Sequence, residues 1–308
     1  MKKLFITLLL ALTTLVAAAQ TPDVPQHLQD ISVTIVTSDG QGSGVLFTRT
    51  NNANERITFV WTAGHVVAGL RSDRDVIDGK GANRKVVEFK DAQILKTLVE
   101  DGRTIGRLTL DAEVIKYSDA ENGEDLALLR VRKKNYVTTT VVFDTADKIP
   151  AIGTELYHVG SLLGQMGANS MTTGIYSQIG RLHGKKIFDQ TTVTAFPGSS
   201  GGGVFRRDGT YVGMLVRGAG ETFNLTVPMR RIKEWTARNN LQWAIDQKAP
   251  MPDDATLAKS PVEDVGVHIV VCGGICPLEV SGRQNGHAGA DSEAAVSSKN
   301  MGVSASKR

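Results

Sequence analysis

Only two cysteines occur in 308 residues, Cys272 and Cys276, and they lie four positions apart near the C-terminal end. That excludes a disulfide framework for the bulk of the chain, whose fold must rest on core burial. The two could pair locally in an oxidising compartment. With His268 they also offer three metal ligands within nine residues, but the spacing matches no standard zinc pattern and no metal or organic cofactor is expected. No charge of one sign dominates, since 35 Lys and Arg face 32 Asp and Glu for a formal net charge of +3. The basic residues are interleaved with acids rather than gathered in a stripe, so no nucleic-acid partner is expected. The run Arg130, Arg132, Lys133 and Lys134 reads as a solvated strand end. Beyond residue 19 no stretch is long and apolar enough to span a bilayer.

The chain begins with Met1-Lys2-Lys3, an apolar stretch from Leu4 to Val16, and Ala17-Ala18-Ala19 before Gln20. A charged start, an apolar core of about a dozen residues and a small-residue end form a secretory signal peptide over 1–19, too short for a membrane span. Its removal would take Lys2 and Lys3 with it and bring the net charge to +1. The expected mature protein is exported, periplasmic or secreted, and large enough for one or two domains.

From Ile31 onward short β-type segments alternate with Gly, Asn and Asp turns. The clearest are 31–36, 44–47, 57–62, 93–99, 107–117 and 126–131, with 73–85 as a polar insertion. A second set covers 155–159, 171–178, 191–195, 203–205, 211–216 and 222–227, after a connector at 138–150. Many short strands imply a barrel or sandwich in two β-rich halves, 30–142 and 148–246. Pro228 is placed to start a helix over Met229–Asp246, with Met229, Ile232 and Trp235 at three-residue spacing. Residues 247–308 read as a largely disordered tail.

Three segments carry chemistry. Phe196-Pro197-Gly198-Ser199-Ser200-Gly201-Gly202-Gly203 frames a serine with glycines, which allow a sharp turn and a close approach of backbone N–H groups to a substrate carbonyl. By itself such a string could equally be a Gly/Ser linker. Thr62-Ala63-Gly64-His65-Val66-Val67 sets a histidine at a strand end, where it is either structural or a general base. Gly123-Glu124-Asp125-Leu126 places an acid at the start of an apolar strand, either capping a turn or, if buried, needing a donor such as a histidine N–H.

The order His65, Asp125, Ser200 within strand-rich sequence resembles the chymotrypsin-like (trypsin-fold) serine proteases, and most nearly their bacterial HtrA/Deg-type branch. Gly42-Ser43-Gly44-Val45-Leu46, Tyr157-His158-Val159-Gly160-Ser161, Tyr211-Val212-Gly213-Met214 and Leu225-Thr226-Val227-Pro228 resemble further strands of that branch. The resemblance spans roughly 30–245. It implies an all-β fold of two six-stranded antiparallel β-barrels with a C-terminal helix, His65 and Asp125 on the first barrel and Ser200 on the second.

By the same resemblance Ser200 is the nucleophile, His65 the general base and acid, and Asp125 the residue that orients the imidazole. The oxyanion hole is the pair of backbone N–H groups of Gly198 and Ser200. Ser199 stands where animal digestive members carry an aspartate, so the zymogen ion pair has no carboxylate here. The expected specificity pocket is walled by Thr194, Ala195 and Phe196 and by Val216, Arg217 and Gly218. With Thr194 in place of an acid at its base, selection of Lys or Arg is disfavoured. Val216 and Phe196 favour a modest apolar side chain, and an inward Arg217 would favour an acidic one. The tail is too short for the PDZ domain typical of the HtrA branch. Proteins or peptides are the expected substrates. The alternative is a catalytically silent protease-like binding module, and a third reading, an esterase, is disfavoured by the residue order.

Overall fold

The computed structural model describes residues 23–264, apart from positions 78, 80, 101, 147 and 219–221. The expected signal segment, His268, Cys272, Cys276 and the tail beyond 264 lie outside the described residues. A short helix, α1 (Val24–Asp30), leads into β1 (Ser32–Val36), β2 (Gln41–Thr50) and β3 (Arg56–Thr62). After α2 (Gly64–Val67) come β4 (Arg71–Ile77), β5 (Asn83–Phe89), β6 (Ala92–Glu100), β7 (Arg103–Ser118) and β8 (Leu126–Val131). Strands β1-β2-β3-β8-β7-β6 close into a barrel. The polar stretch expected as an insertion at 73–85 is instead mostly the β4–β5 hairpin, paired from Arg71↔Phe89 to Ile77↔Asn83 and standing apart from the barrel sheet.

The second half contains β9 (Val142–Phe143), β10 (Glu155–Leu162), β11 (Gly167–His183), β12 (Lys186–Thr191), β13 (Gly203–Arg206), β14 (Thr210–Gly218) and β15 (Asn224–Pro228). The sheet runs β13-β10-β11-β12-β15-β14-β9, and β13 also pairs with β14, so six strands close a ring with β9 docked on it in parallel. The expected all-β double barrel is thus present. The strand expected at 191–195 lies earlier, because Thr192 to Gly202 leave the ladder to form the loop that carries Ser200. The terminal helix α3 (Met229–Arg238) stops well short of Asp246: Asn239 and Asn240 break the pattern, Asn240 in the left-handed region at φ 57°, and a single 3-10 turn follows at Gln242–Ala244.

Strand periodicity sorts the core. In β3, Val60 points into the first barrel with Ile35, Leu46, Leu110 and Leu129, while Ile57, Phe59 and Trp61 point out into a second core shared with the other barrel and α3. Trp61 packs edge-on against Trp235 of α3, ring centroids 5.7 Å apart, and its indole N–H donates to Ala244 O at 3.1 Å. Truncating one such aromatic costs about 3–5 kcal/mol, so β3 and α3 are firmly joined just before the segment that carries His65. Residues 247–264, the start of the expected tail, form a strap. It contains α4 (Asp254–Lys259), capped by Asp253 Oδ1 accepting from Thr256 N at 2.7 Å, and ends in a bridge between Glu263 and Tyr117 of β7.

Candidate active site

His65 sits in the single turn α2, immediately after β3. Its Nδ1 lies 3.0 Å from Oδ1 and 3.1 Å from Oδ2 of Asp125, and its backbone N–H donates to Oδ1 at 2.9 Å. A carboxylate only accepts, so Nδ1 carries the proton and Nε2 is the basic nitrogen. Nε2 makes no hydrogen bond among the described residues. Asp125 is 2% exposed, whereas the His65 side chain is 38% exposed. Asp125 adopts φ 58°, a left-handed conformation that Asp tolerates better than most residues. Burial alone would raise its carboxyl; the hydrogen bonds and charge of His65, with a smaller contribution from Arg217, outweigh that and hold it below the usual carboxylate range. Gly64 lets the two segments meet, since a Cβ there would run into Ser118 O and stand 3.2 Å from Leu126 N.

The loop carrying Asp125 is gripped by cations from the second half of the chain. Lys186 Nζ donates to the carbonyls of Ala120 and Glu121, both at 2.9 Å. Arg231 and Arg238 bind the Glu124 carboxylate at 2.6 and 2.8 Å. Burial opposes ionisation of Glu124, but the two guanidinium groups prevail and its pKa is lowered.

Ser200 lies half-buried in a turn that rests on the residues just ahead of His65. Ser43 N donates to Ser200 O at 2.7 Å. Gly201, at φ 86°, has no room for a Cβ, which would collide with Ser43 O and Thr62 Oγ1 and stand 3.0 Å from Ala63 N. Gly198, at φ 96°, is equally constrained, because a Cβ would strike Ser161 O and lie 2.7 Å from Gly164 N. The N–H groups of Ser199, Gly201 and Gly202 bond to the carbonyls of Phe196, Leu215 and Ser199 at 2.9, 2.8 and 3.0 Å. Those of Gly198 and Ser200 have no partner among the described residues. Ser199 is fully buried, its Oγ accepting from Phe196 N at 3.1 Å.

The residues expected to wall the specificity pocket differ in exposure. Thr194 and Ala195 are half-buried and Phe196 is 43% exposed. Val216 is buried in the core between the barrels. Arg217 is exposed, with Nη2 3.5 Å from Ala120 O in the loop that leads to Asp125. Beside Gly218 lies a residue the sequence reading passed over: Asn224, fully buried, donates from Nδ2 to Val193 O at 2.6 Å, and its Oδ1 occupies the space a Cβ on Gly218 would need. Its side chain therefore bridges the two walls.

Ser43 was legible only as part of a strand. Its Oγ donates to Gly198 O at 2.7 Å and accepts from Ser161 N at 2.8 Å, joining the Ser200 loop to both barrels. The signal was the pair of flanking glycines, Gly42 and Gly44, in an otherwise apolar strand. His158 is fully buried, with Nδ1 3.0 Å from Gly203 O and Nε2 unpartnered among the described residues, and burial lowers its pKa to about 4.

Two antiparallel barrels, with the three segments brought to one side of their junction, define a trypsin-like peptidase architecture. The chain belongs to the trypsin-like peptidase domain family, whose model matches residues 42–214. No curated protein matches it in sequence. Among solved structures, Deg5 superposes with a TM-score of 0.50 at 20% identity, over 71% of this chain and 93% of its own. Rv3671c from M. tuberculosis H37Rv, a serine-to-alanine mutant in its inactive form, gives a TM-score of 0.50 at 17% identity over 76% and 94%. The HtrA-type protease AlgW, a serine-to-alanine variant with a tripeptide, gives 0.50 at 19% over 72% and 63%. At these identities the likeness is one of fold. The family and fold support a serine peptidase.

Proposed function

We propose that this protein is an exported serine endopeptidase working through Ser200, His65 and Asp125, with the Gly198 and Ser200 N–H groups as oxyanion hole. The observation that carries the reading is the bonding of His65 Nδ1 to a buried carboxylate while the Ser200 turn rests on Thr62 and Ala63. In the proposed cycle Ser200 Oγ attacks the scissile carbonyl as His65 Nε2 takes its proton. The carbonyl oxygen becomes an oxyanion held by the Gly198 and Ser200 N–H groups. Collapse breaks the C–N bond, and His65 returns the proton to the leaving amine. Water then attacks the acyl-enzyme, giving up a proton to Nε2; collapse breaks the C–Oγ bond, His65 returns the proton to Ser200 Oγ, and the new C-terminus leaves. Asp125, kept ionised by its bonds, stabilises the imidazolium at each stage. Export rests on the pattern of residues 1–19, and protein or peptide substrates follow from the peptidase fold.

The test is labelling of the purified protein by a fluorophosphonate probe beside Ser200→Ala, followed by cleavage profiling on a peptide library. Labelling of the wild type and not of the variant is expected. A folded wild type that takes no label would leave the silent binding module as the reading.

A further inference from the structure

The loop that carries Asp125 begins at Ser118, the last residue of β7, and Ser118 touches the neighbours of both members of the His65–Asp125 pair. Its carbonyl packs where a Cβ on Gly64 would stand, one residue before His65. Its Oγ accepts from Glu124 N at 2.7 Å, one residue before Asp125. Ser118 Oγ in turn donates to Asp264 Oδ2 at 3.2 Å, and the same oxygen accepts the indole N–H of Trp235 at 2.6 Å. Backbone pairing places Asp264 there: Tyr117 N donates to Val262 O and Asp264 N to Tyr117 O, both at 2.8 Å. Lys116 Nζ adds a bond to Pro261 O at 3.0 Å, and Arg71 pairs with Glu263. These contacts fasten the strap to β7 at the point where the loop departs.

We infer that Asp264, at the end of the C-terminal strap, is a positioning residue for the catalytic pair, acting through Ser118 to hold the loop that presents Asp125. The inference rests on the triad reading above. Its physical basis is the left-handed backbone at Asp125, a conformation that persists only where the surroundings over-determine it. Arg231 and Arg238 hold the loop near its end, at Glu124; Asp264 holds its beginning, at Ser118, and ties it to Trp235 of α3. One carboxylate oxygen accepting from a hydroxyl and an indole makes two charge-assisted bonds, and its loss would leave the Trp235 N–H buried without an acceptor. With that anchor gone, Asp125 could relax from its left-handed geometry and turn its carboxylate away from Nδ1.

The full chain is prepared as wild type, Asp264→Ala, Asp264→Asn and Ser200→Ala, and labelling rates are measured across fluorophosphonate concentrations. The alanine variant should label with a maximal rate lowered about tenfold, the equivalent of one charged hydrogen bond, and an unchanged half-saturating concentration. An asparagine side chain at this position keeps a carbonyl oxygen that can accept both bonds, so Asp264→Asn should recover most of the rate. The downfield proton resonance of His65 Nδ1–H should weaken with alanine and return with asparagine. Should the alanine variant lose its cooperative thermal transition, Asp264→Ser takes its place. An alanine or serine variant that labels like wild type overturns the inference, as does a rate loss that asparagine leaves uncorrected. A wild type that, like Ser200→Ala, takes no label overturns the triad reading instead.

Discussion

The two halves of the molecule supply the cleft with different materials. The first barrel contributes side chains: His65 and Asp125 meet through three hydrogen bonds, and the loop behind them is held by Lys186, Arg231 and Arg238 reaching over from the second half. The second barrel contributes the Ser200 hydroxyl on a framework of backbone: two N–H groups without partners among the described residues, and a turn whose Gly198 and Gly201 have no space for a Cβ. A side-chain network can be weakened in steps, because each bond is one of several. A glycine turn pressed against carbonyl oxygens has no intermediate setting. The first barrel should therefore show graded losses wherever the substitution spares the reacting pair, and the second should respond to a single methyl group.

The strongest test of that contrast is Asp125→Asn, which keeps the shape but favours the wrong His65 tautomer and should lower kcat about 10⁴-fold. A peptide-hydrolysis assay showing a loss below tenfold would mean that the pair does not act as a unit. Next comes Gly198→Ala, where the added Cβ meets Ser161 O and must rotate the peptide proposed as one oxyanion donor. A fall in kcat of about two to three orders of magnitude is expected, with little change in KM. If alanine is tolerated there, the backbone half of the comparison fails.

His158 sharpens the contrast on stability, since it lies buried beside the Ser200 turn, its ring 2.6 Å from where a Cβ on Gly202 would stand. Its folded pKa of about 4 lies below the ordinary value of 6.5 because burial disfavours the charged ring. The unfolded chain binds the proton first, so this contribution is complete above pH 6.5 and is lost as pH falls toward 4, on the order of 3 kcal/mol. Urea unfolding at a series of pH values should show that slope, and His158→Gln, which still donates to Gly203 O, should flatten it. The smallest effect is expected from Arg217→Ala. The side chain is exposed and lies near Ala120 O rather than in the core, so kcat should change by no more than about threefold. A large loss of cleavage after acidic residues would instead place Arg217 in the substrate pocket.

Much of this arrangement was legible in the sequence. The alternation of apolar residues located most strands, and glycines around Ser200 announced a tight turn. Three departures have physical causes. In the β4–β5 hairpin, β4 is exposed along almost all its length because the hairpin forms a two-stranded sheet of its own, so no alternation marked it. The strand expected at 191–195 was read from composition, whereas the ladder ends at Thr191 to release the loop that carries Ser200. The strap at 247–264 showed no element pattern because it is Pro- and Asp-rich; its order comes from contacts with β7, α3 and Arg130. Asn224 and His158 gave no local signal, since burial of a polar residue is a property of its neighbours.

Chemistry that depends on residue type and order, a serine among glycines preceded by a histidine and an acid, is written along the chain. Which atoms meet is not. Ser43 and Gly198 are 155 positions apart, and Ser118 and Asp264 are 146 apart. Such bonds form only after the barrels close and α3 docks, because only then do burial and a low local dielectric make one partner preferable to water.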